Sequence, residues 1–95
     1  MEVQITCKGC TITEDLQEYI NERLAKLLTY DKAISNVSIL LKKERRARKI
    51  QLIASSGPKQ YIANTYSSEF IKSIRMAVDR MVTQIRKRST QNNRS

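Results

Sequence analysis

Residues 37–66 read VSILLKKERRARKIQLIASSGPKQYIANTY. Val37, Ile39 and Leu41 alternate with Ser38, Leu40 and Lys42, and a period of two predicts a half-buried strand. The run Lys42-Lys43-Glu44-Arg45-Arg46-Ala47-Arg48-Lys49, six bases in eight residues, reads as the connection that leaves this strand. Ile50, Leu52 and Ala54 resume the alternation. Ser55-Ser56-Gly57-Pro58 is turn chemistry. Tyr61, Ala63 and Thr65 (or Ile62 and Tyr66 on the opposite face) then make a fourth, shorter strand. Three consecutive hairpin-linked strands are the frame on which the flanking segments must fit.

Working outward, Val3, Ile5 and Cys7 alternate with Gln4, Thr6 and Lys8 as a first strand, which Gly9 breaks. Thr13 precedes Glu14 and Asp15, an N-cap followed by acids where the helix dipole favours them. Leu16, Tyr19, Ile20, Leu24, Leu27 and Leu28 follow at helical spacing, which predicts a first helix over about 14–29. Ser67 or Ser68 caps a long second helix with the apolar stripe Ile71, Ile74, Val78, Met81, Val82 and Ile85. The order is β-α-β-β-β-α. It predicts an α+β domain, a four-stranded sheet with two helices packed on one face. The domain is expected over 1–88, with a polar, disordered tail over 89–95.

Hydrophobic residues are 40% and charged residues 28% of the 95, the balance of a folded globular domain rather than a disordered chain. The formal net charge is +9, and it is unevenly spread. Residues 1–31 hold six acids and three bases; residues 32–95 hold fifteen bases and three acids. A polarised basic domain of this size points to a polyanion, nucleic acid first and an acidic membrane surface second. No apolar run approaches the ~20 residues of a membrane helix, and no signal peptide is visible at the amino terminus. With two cysteines, too few for a disulfide scaffold, the expected location is cytoplasmic. The absence of histidine removes the commonest general base and the commonest metal ligand, so no enzyme, catalytic residue, cofactor or small-molecule substrate is expected.

Cys7-Lys8-Gly9-Cys10 is formally C-x-x-C. Two thiols without histidine cannot complete a four-ligand zinc site, and a redox pair would place its first cysteine at a helix N-terminus. The expectation is two inert, small apolar residues and no metal site. The candidate nucleic-acid contacts lie elsewhere. Arg23 and Lys26 are three apart on the first helix, flanking its stripe. Arg80 and Lys87 are seven apart on the second and nearly superpose in projection, with Thr83 between them. Two basic faces on neighbouring helices would straddle a nucleic-acid backbone. In the run 42–49 the plain reading is a solvated hairpin tip whose charges blunt an edge; the functional one is phosphate contact by Lys42, Lys43, Arg45 and Arg46. Four Tyr, one Phe and no Trp argue against a stacking platform.

The segments Val3-Gln4-Ile5-Thr6, Ile12-Thr13-Glu14, Arg23-Leu24-Ala25-Lys26-Leu27, Val37-x-Ile39-x-Leu41-Lys42 and Asp79-Arg80-Met81-x-x-Gln84-Ile85 resemble the ribosome hibernation-promoting factor family. Its other names are ribosome-associated inhibitor and sigma-54 modulation protein. The resemblance covers about residues 3–88 and is to the short type, without an acidic extension or a C-terminal dimerisation domain. It implies the same fold and a cytoplasmic stress and stationary-phase role. It also implies binding in the decoding channel of the small ribosomal subunit, against 16S-type rRNA and neighbouring ribosomal proteins, where mRNA and tRNA would be excluded. The family's basic positions fall on Arg23, Lys26, Arg80 and Lys87. A further basic position falls on Thr83, with Arg86 close by. The sequence departs from the family pattern at Arg75, where an acid is usual, and at Glu69-Phe70-Ile71. Two other readings stand beside this one: a generic double-stranded-RNA-binding module, whose α-β-β-β-α order is embedded here, and a protein–protein regulator using Leu40 and Ile53 on the exposed sheet face.

Overall fold

The computed structural model describes the backbone of residues 1–94 and the side chains of residues 1–88. The elements are β1 (Glu2–Lys8), α1 (Glu14–Ala25), α2 (Leu27–Tyr30), β2 (Ile34–Glu44), β3 (Ala47–Ser56), β4 (Lys59–Ser67) and α3 (Phe70–Arg94). The strands form one sheet in the order β1-β2-β3-β4. β1 and β2 run parallel because α1 carries the chain back between them. β2, β3 and β4 are successive antiparallel hairpins. The tail expected over 89–95 falls on residues whose side chains lie outside the described residues.

The alternation read from the sequence is the division between core and solvent. Val37, Ile39 and Leu41 on β2, Ile50, Leu52 and Ala54 on β3, and Tyr61 and Ala63 on β4 are buried. They meet Ile20, Leu24 and Leu27 from the first helical segment and Ile74, Ala77, Val78, Met81, Val82 and Ile85 from α3. Each such Leu or Ile contributes about 1.5–3 kcal/mol relative to exposure. All of these strand residues point to one face, so both long helices cover that face and the other is open to solvent.

Four departures from the sequence expectation have local causes. β2 begins at Ile34, ahead of Val37, because a bulge between Ile34 and Asn36 lets two residues three apart both point inward. The first helix is interrupted at Lys26, whose N–H turns to the Arg23 carbonyl at 3.3 Å in a tightened last turn before α2. Ile71 is 42% exposed rather than part of the stripe, and Phe70 packs against the core in its place. The basic run is mostly strand: Lys42 pairs with Lys49, Lys43 with Arg48 and Glu44 with Ala47, which leaves only Arg45 and Arg46 as the turn. Arg45 adopts φ 55 there, the left-handed conformation a two-residue hairpin demands.

Thr13 caps α1 as expected, its hydroxyl accepting from the Leu16 N–H at 3.2 Å. The start of α3 is fixed differently. Thr65 Oγ1 donates to the Ser73 carbonyl and Ser73 Oγ to the Arg48 carbonyl, both at 2.7 Å, while Ser67 Oγ lies 2.7 Å from Ser73 Oγ. This small polar knot ties the first turns of α3 to β3 and β4, and leaves the buried hydroxyls partnered.

The cysteines are closer than expected. Gly9 turns the chain at φ 73, which brings residue 10 back beside residue 7 with 5.7 Å between the Cα atoms, and Cys7 and Cys10 are joined as a disulfide. Both side chains also pack half-buried against the core, as small apolar residues do, and their pairing is what the sequence reading did not include. Sequence spacing alone does not reveal that turn.

Candidate nucleic-acid interface

The helices present a solvent face whose cations come from both. Arg23 reaches across from α1, and its Nη2 lies 3.7 Å from Asp79 Oδ1 on α3. Its Nε is buried and makes no hydrogen bond among the described residues. A separation of 3.7 Å is an ion pair without a good hydrogen bond, and Asp79 is 59% exposed, so water weakens it further. Arg23 therefore keeps donors that a phosphate can use.

α1 and α3 both run opposite to the strands β1, β2 and β4 that they cover, so they run alongside each other in the same direction. Lys26 is exposed and comes level with the turn of α3 that follows Asp79. Arg86, seven residues beyond Asp79, projects to the same flank of α3, as does Arg75 four residues before it. Both are exposed. Arg75, set apart in the sequence only as a departure from the family pattern, thus joins this flank.

Arg80 goes the other way. Its Nη1 donates to the Asn64 carbonyl at 2.9 Å, and Gln84, one turn on, donates to the Ile62 carbonyl at 2.6 Å. Both carbonyls belong to β4, the edge strand, so α3 closes part of that edge. Lys87 is exposed on the outer side of the helix, and Thr83 donates its hydroxyl to the Asp79 carbonyl. The four cations grouped by sequence spacing thus divide into Arg23 and Lys26 beside α3, Lys87 above, and Arg80 over the sheet edge.

A third anchor fixes the far end of the helices. Tyr61 Oη donates to Asp31 Oδ2 at 2.9 Å, and the Arg88 guanidinium lies 5.2 Å from the Tyr61 ring centre. Burial pushes the Asp31 carboxyl up. Hydrogen bonds from Ser56, the Ala33 N–H and Tyr61, with Lys59 nearby, outweigh it and hold the group below its ordinary range. Burial, and then the bond to Asp31, raise the Tyr61 phenol.

The hairpin cations are not part of the helix face. Arg45 and Arg46 form the β2–β3 tip, at the end of the sheet where α3 begins and where Arg48 lies 5.8 Å from the Phe70 ring. The strand pleat then splits the run. Lys43 and Arg48 stand on the helix side, while Lys42 and Lys49 stand on the open face, each 3.4 Å from Glu44 Oε2. Among the described residues no group of three or more His, Cys, Asp or Glu is placed to hold a metal ion, and no helix is long and apolar enough to cross a membrane.

Known proteins are similar to this chain in sequence and fold. A ribosome hibernation promoting factor from Pseudomonas putida is 24% identical over 87 residues, which are 92% of this chain and 85% of that protein. A solved ribosomal subunit interface protein from Coxiella burnetii superposes with a TM-score of 0.89 at 20% identity, covering 95% of this chain and 99% of the other. The N-terminal domain of Protein Y from Thermus thermophilus gives 0.85 at 18% identity, over 92% and 98%. At such identities the two structures attest the fold. Membership rests on the sequence profile of the sigma 54 modulation protein / S30EA ribosomal proteins, which matches residues 3–93, nearly the whole of the sheet and both long helices, and the chain belongs to that family.

Proposed function

We propose that this protein is a ribosome hibernation factor. It binds the small ribosomal subunit through rRNA in the decoding and mRNA channel, excludes mRNA and tRNA, and so inhibits translation. The role is one of occlusion in the cytoplasm, as part of a stress or stationary-phase response, and calls for no catalytic group.

The observation that carries this reading is the paired-helix face, where Arg23 is held across the helices by one long, solvent-weakened ion pair beside the exposed Lys26. Cations on two parallel rods can follow a folded phosphate backbone without reading bases. Family membership and the hibernation factor from Pseudomonas putida point to the same partner.

The structure changes which residues make a clean test. Arg80 anchors the β4 edge, so its reversal would also disturb the fold. Lys26 and Lys87 are both exposed. Reversing both to Glu is expected to weaken cosedimentation with small subunits by about 100-fold or more, since a charge-assisted phosphate contact is worth ~1.5–3 kcal/mol. The melting temperature should hardly move, and the variant should no longer inhibit a translation extract. Undiminished inhibition by the double reversal would remove the helix face from the mechanism.

A further inference from the structure

The strand register assembles a second surface that the sequence did not display. On the sheet face away from the helices, Lys8 lies opposite Lys42, Lys42 opposite Lys49, and Lys49 opposite Tyr66. These four residues come from four different strands and form one straight row across the sheet. At about 4.8 Å per strand the row is roughly 14 Å long. Tyr66, at 70%, has the greatest exposure of the large apolar and aromatic side chains outside the core. The next row inward puts Leu40 beside Gln51 and Asn64, and these residues with Lys42, Lys49 and Tyr66 line a shallow cleft of about 410 Å³.

We propose that this face is a second RNA-binding surface, which takes a single-stranded segment with one unpaired base stacked on Tyr66 and its phosphates on Lys42, Lys49 and Lys8. Three observations favour this occupant. First, the row is cationic, and among the described residues its one nearby carboxylate is Glu44, shared at 3.4 Å by Lys42 and Lys49. The other acid on this face, Glu2, stands about 20 Å away along β1, at about 3.3 Å per residue. Second, the two lysines are half exposed, at 50% and 47%, and their shared partner lies in water, so a phosphate can take the place of Glu44. Third, an exposed ring beside Leu40, Gln51 and Asn64 suits an unpaired base, whereas stacked bases in a duplex offer no face to it. One ring provides one stacking position, short of a platform of several. The surface lies on the opposite side of the sheet from Arg23 and Lys26, so one domain could hold two RNA segments at once. This inference does not depend on the ribosome reading.

The test uses the full chain, labelled for NMR, and a short oligouridine at low salt. Wild type should bind with shifts at the amides of residues 40–42, 49–51 and 64–66. Tyr66→Ala should weaken binding by about 10-fold or more, the value of one base–aromatic stack, and Tyr66→Phe should restore it. Replacing Lys42 and Lys49 together by Ala should weaken binding and flatten its salt dependence. Glu44→Gln should strengthen binding, because it frees two lysines without removing any group that touches RNA. Tyr30→Ala, at an exposed tyrosine off this face, should leave affinity unchanged. Oligouridine that shifts none of the outer-face amides, or that binds Tyr66→Ala as tightly as wild type, would overturn the proposal and leave the aliphatic Leu40, Ile53 and Ile62 to a protein partner. Small-subunit cosedimentation of the same variants separates this surface from the helix face.

Discussion

A lysine or arginine on a helix surface is defined by what its nitrogen reaches. Arg23 and Arg80 are both helix cations that sequence spacing groups together. Arg23 meets a weakly held carboxylate across a helix pair, while Arg80 is committed to a backbone carbonyl. The first can exchange partners and the second leaves a bare edge if it does. The Asp31–Tyr61 pair gives a sharper test at this scale. Tyr61→Phe removes a hydrogen bond to an ionised group that is partly open to water, and should cost about 1 kcal/mol at neutral pH, or 4–8 °C in a domain of this size. Asp31 has a folded pKa below its unfolded one, so its contribution is complete above the ordinary Asp range and disappears as pH falls through the folded value. Melting curves of wild type and Tyr61→Phe should therefore differ at pH 7 and converge in acid. A difference that stays constant into acid would show that the lost bond was not to a carboxylate.

Between elements, the important contact is α3 on the edge of β4. Strand edges expose unpaired carbonyls that invite a second chain. Here Arg80 and Gln84, at the i and i+4 positions of one helix flank, meet Asn64 and Ile62, two apart on the strand. A helical period meets a strand period, so adjacent side chains reach alternate carbonyls. Replacing both by Ala should cost about 1–2 kcal/mol and uncover that edge. The expected outcome is a lower melting temperature together with concentration-dependent association in sedimentation velocity. A variant that melts low but remains monomeric at all concentrations would show that the pair stabilises the edge without guarding it. The i, i+4 spacing was visible in the sequence, but its target was not, because nothing in either segment says which carbonyls lie beneath it.

For the whole molecule the charge is the governing quantity, and its arrangement matters more than its sum. Glu14 and Asp15 occupy the first turn of α1 and Arg23 its last, with Lys26 just beyond. The hairpin cations lie at the end where α3 begins. Affinity for small subunits should fall with salt by a log–log slope of roughly 0.7–0.9 for each phosphate neutralised. The Lys26→Glu, Lys87→Glu double variant should lower that slope by about 1.4–1.8, two contacts' worth. Salt titrations of cosedimentation read it directly. A wild-type slope near zero would mean that phosphates do not dominate the interface.

The sheet, the two long helices and the face on which they pack are legible in the chain's own pattern. Those follow from local periods: Val37-Ile39-Leu41 and Ile50-Leu52-Ala54 can bury one side only as strands, and Ile74-Val78-Met81-Ile85 only as a helix. The same pattern also identified Lys26 and Lys87 as exposed cations, because residues off an apolar stripe face water. Which cations lie together is set by the folded arrangement of the elements. Alternation assigns Lys8, Lys42, Lys49 and Tyr66 each to a face, but their meeting in one row depends on the register of four strands. Register is fixed by long-range pairing, by a bulge near Ile34 and by a turn at Arg45 that leaves only two residues outside the ladder. The division of Arg23 from Arg80, and the closing of Cys7 onto Cys10, have the same cause: each depends on where a distant or turning backbone places its partner, and a residue's own neighbours in the chain do not specify that.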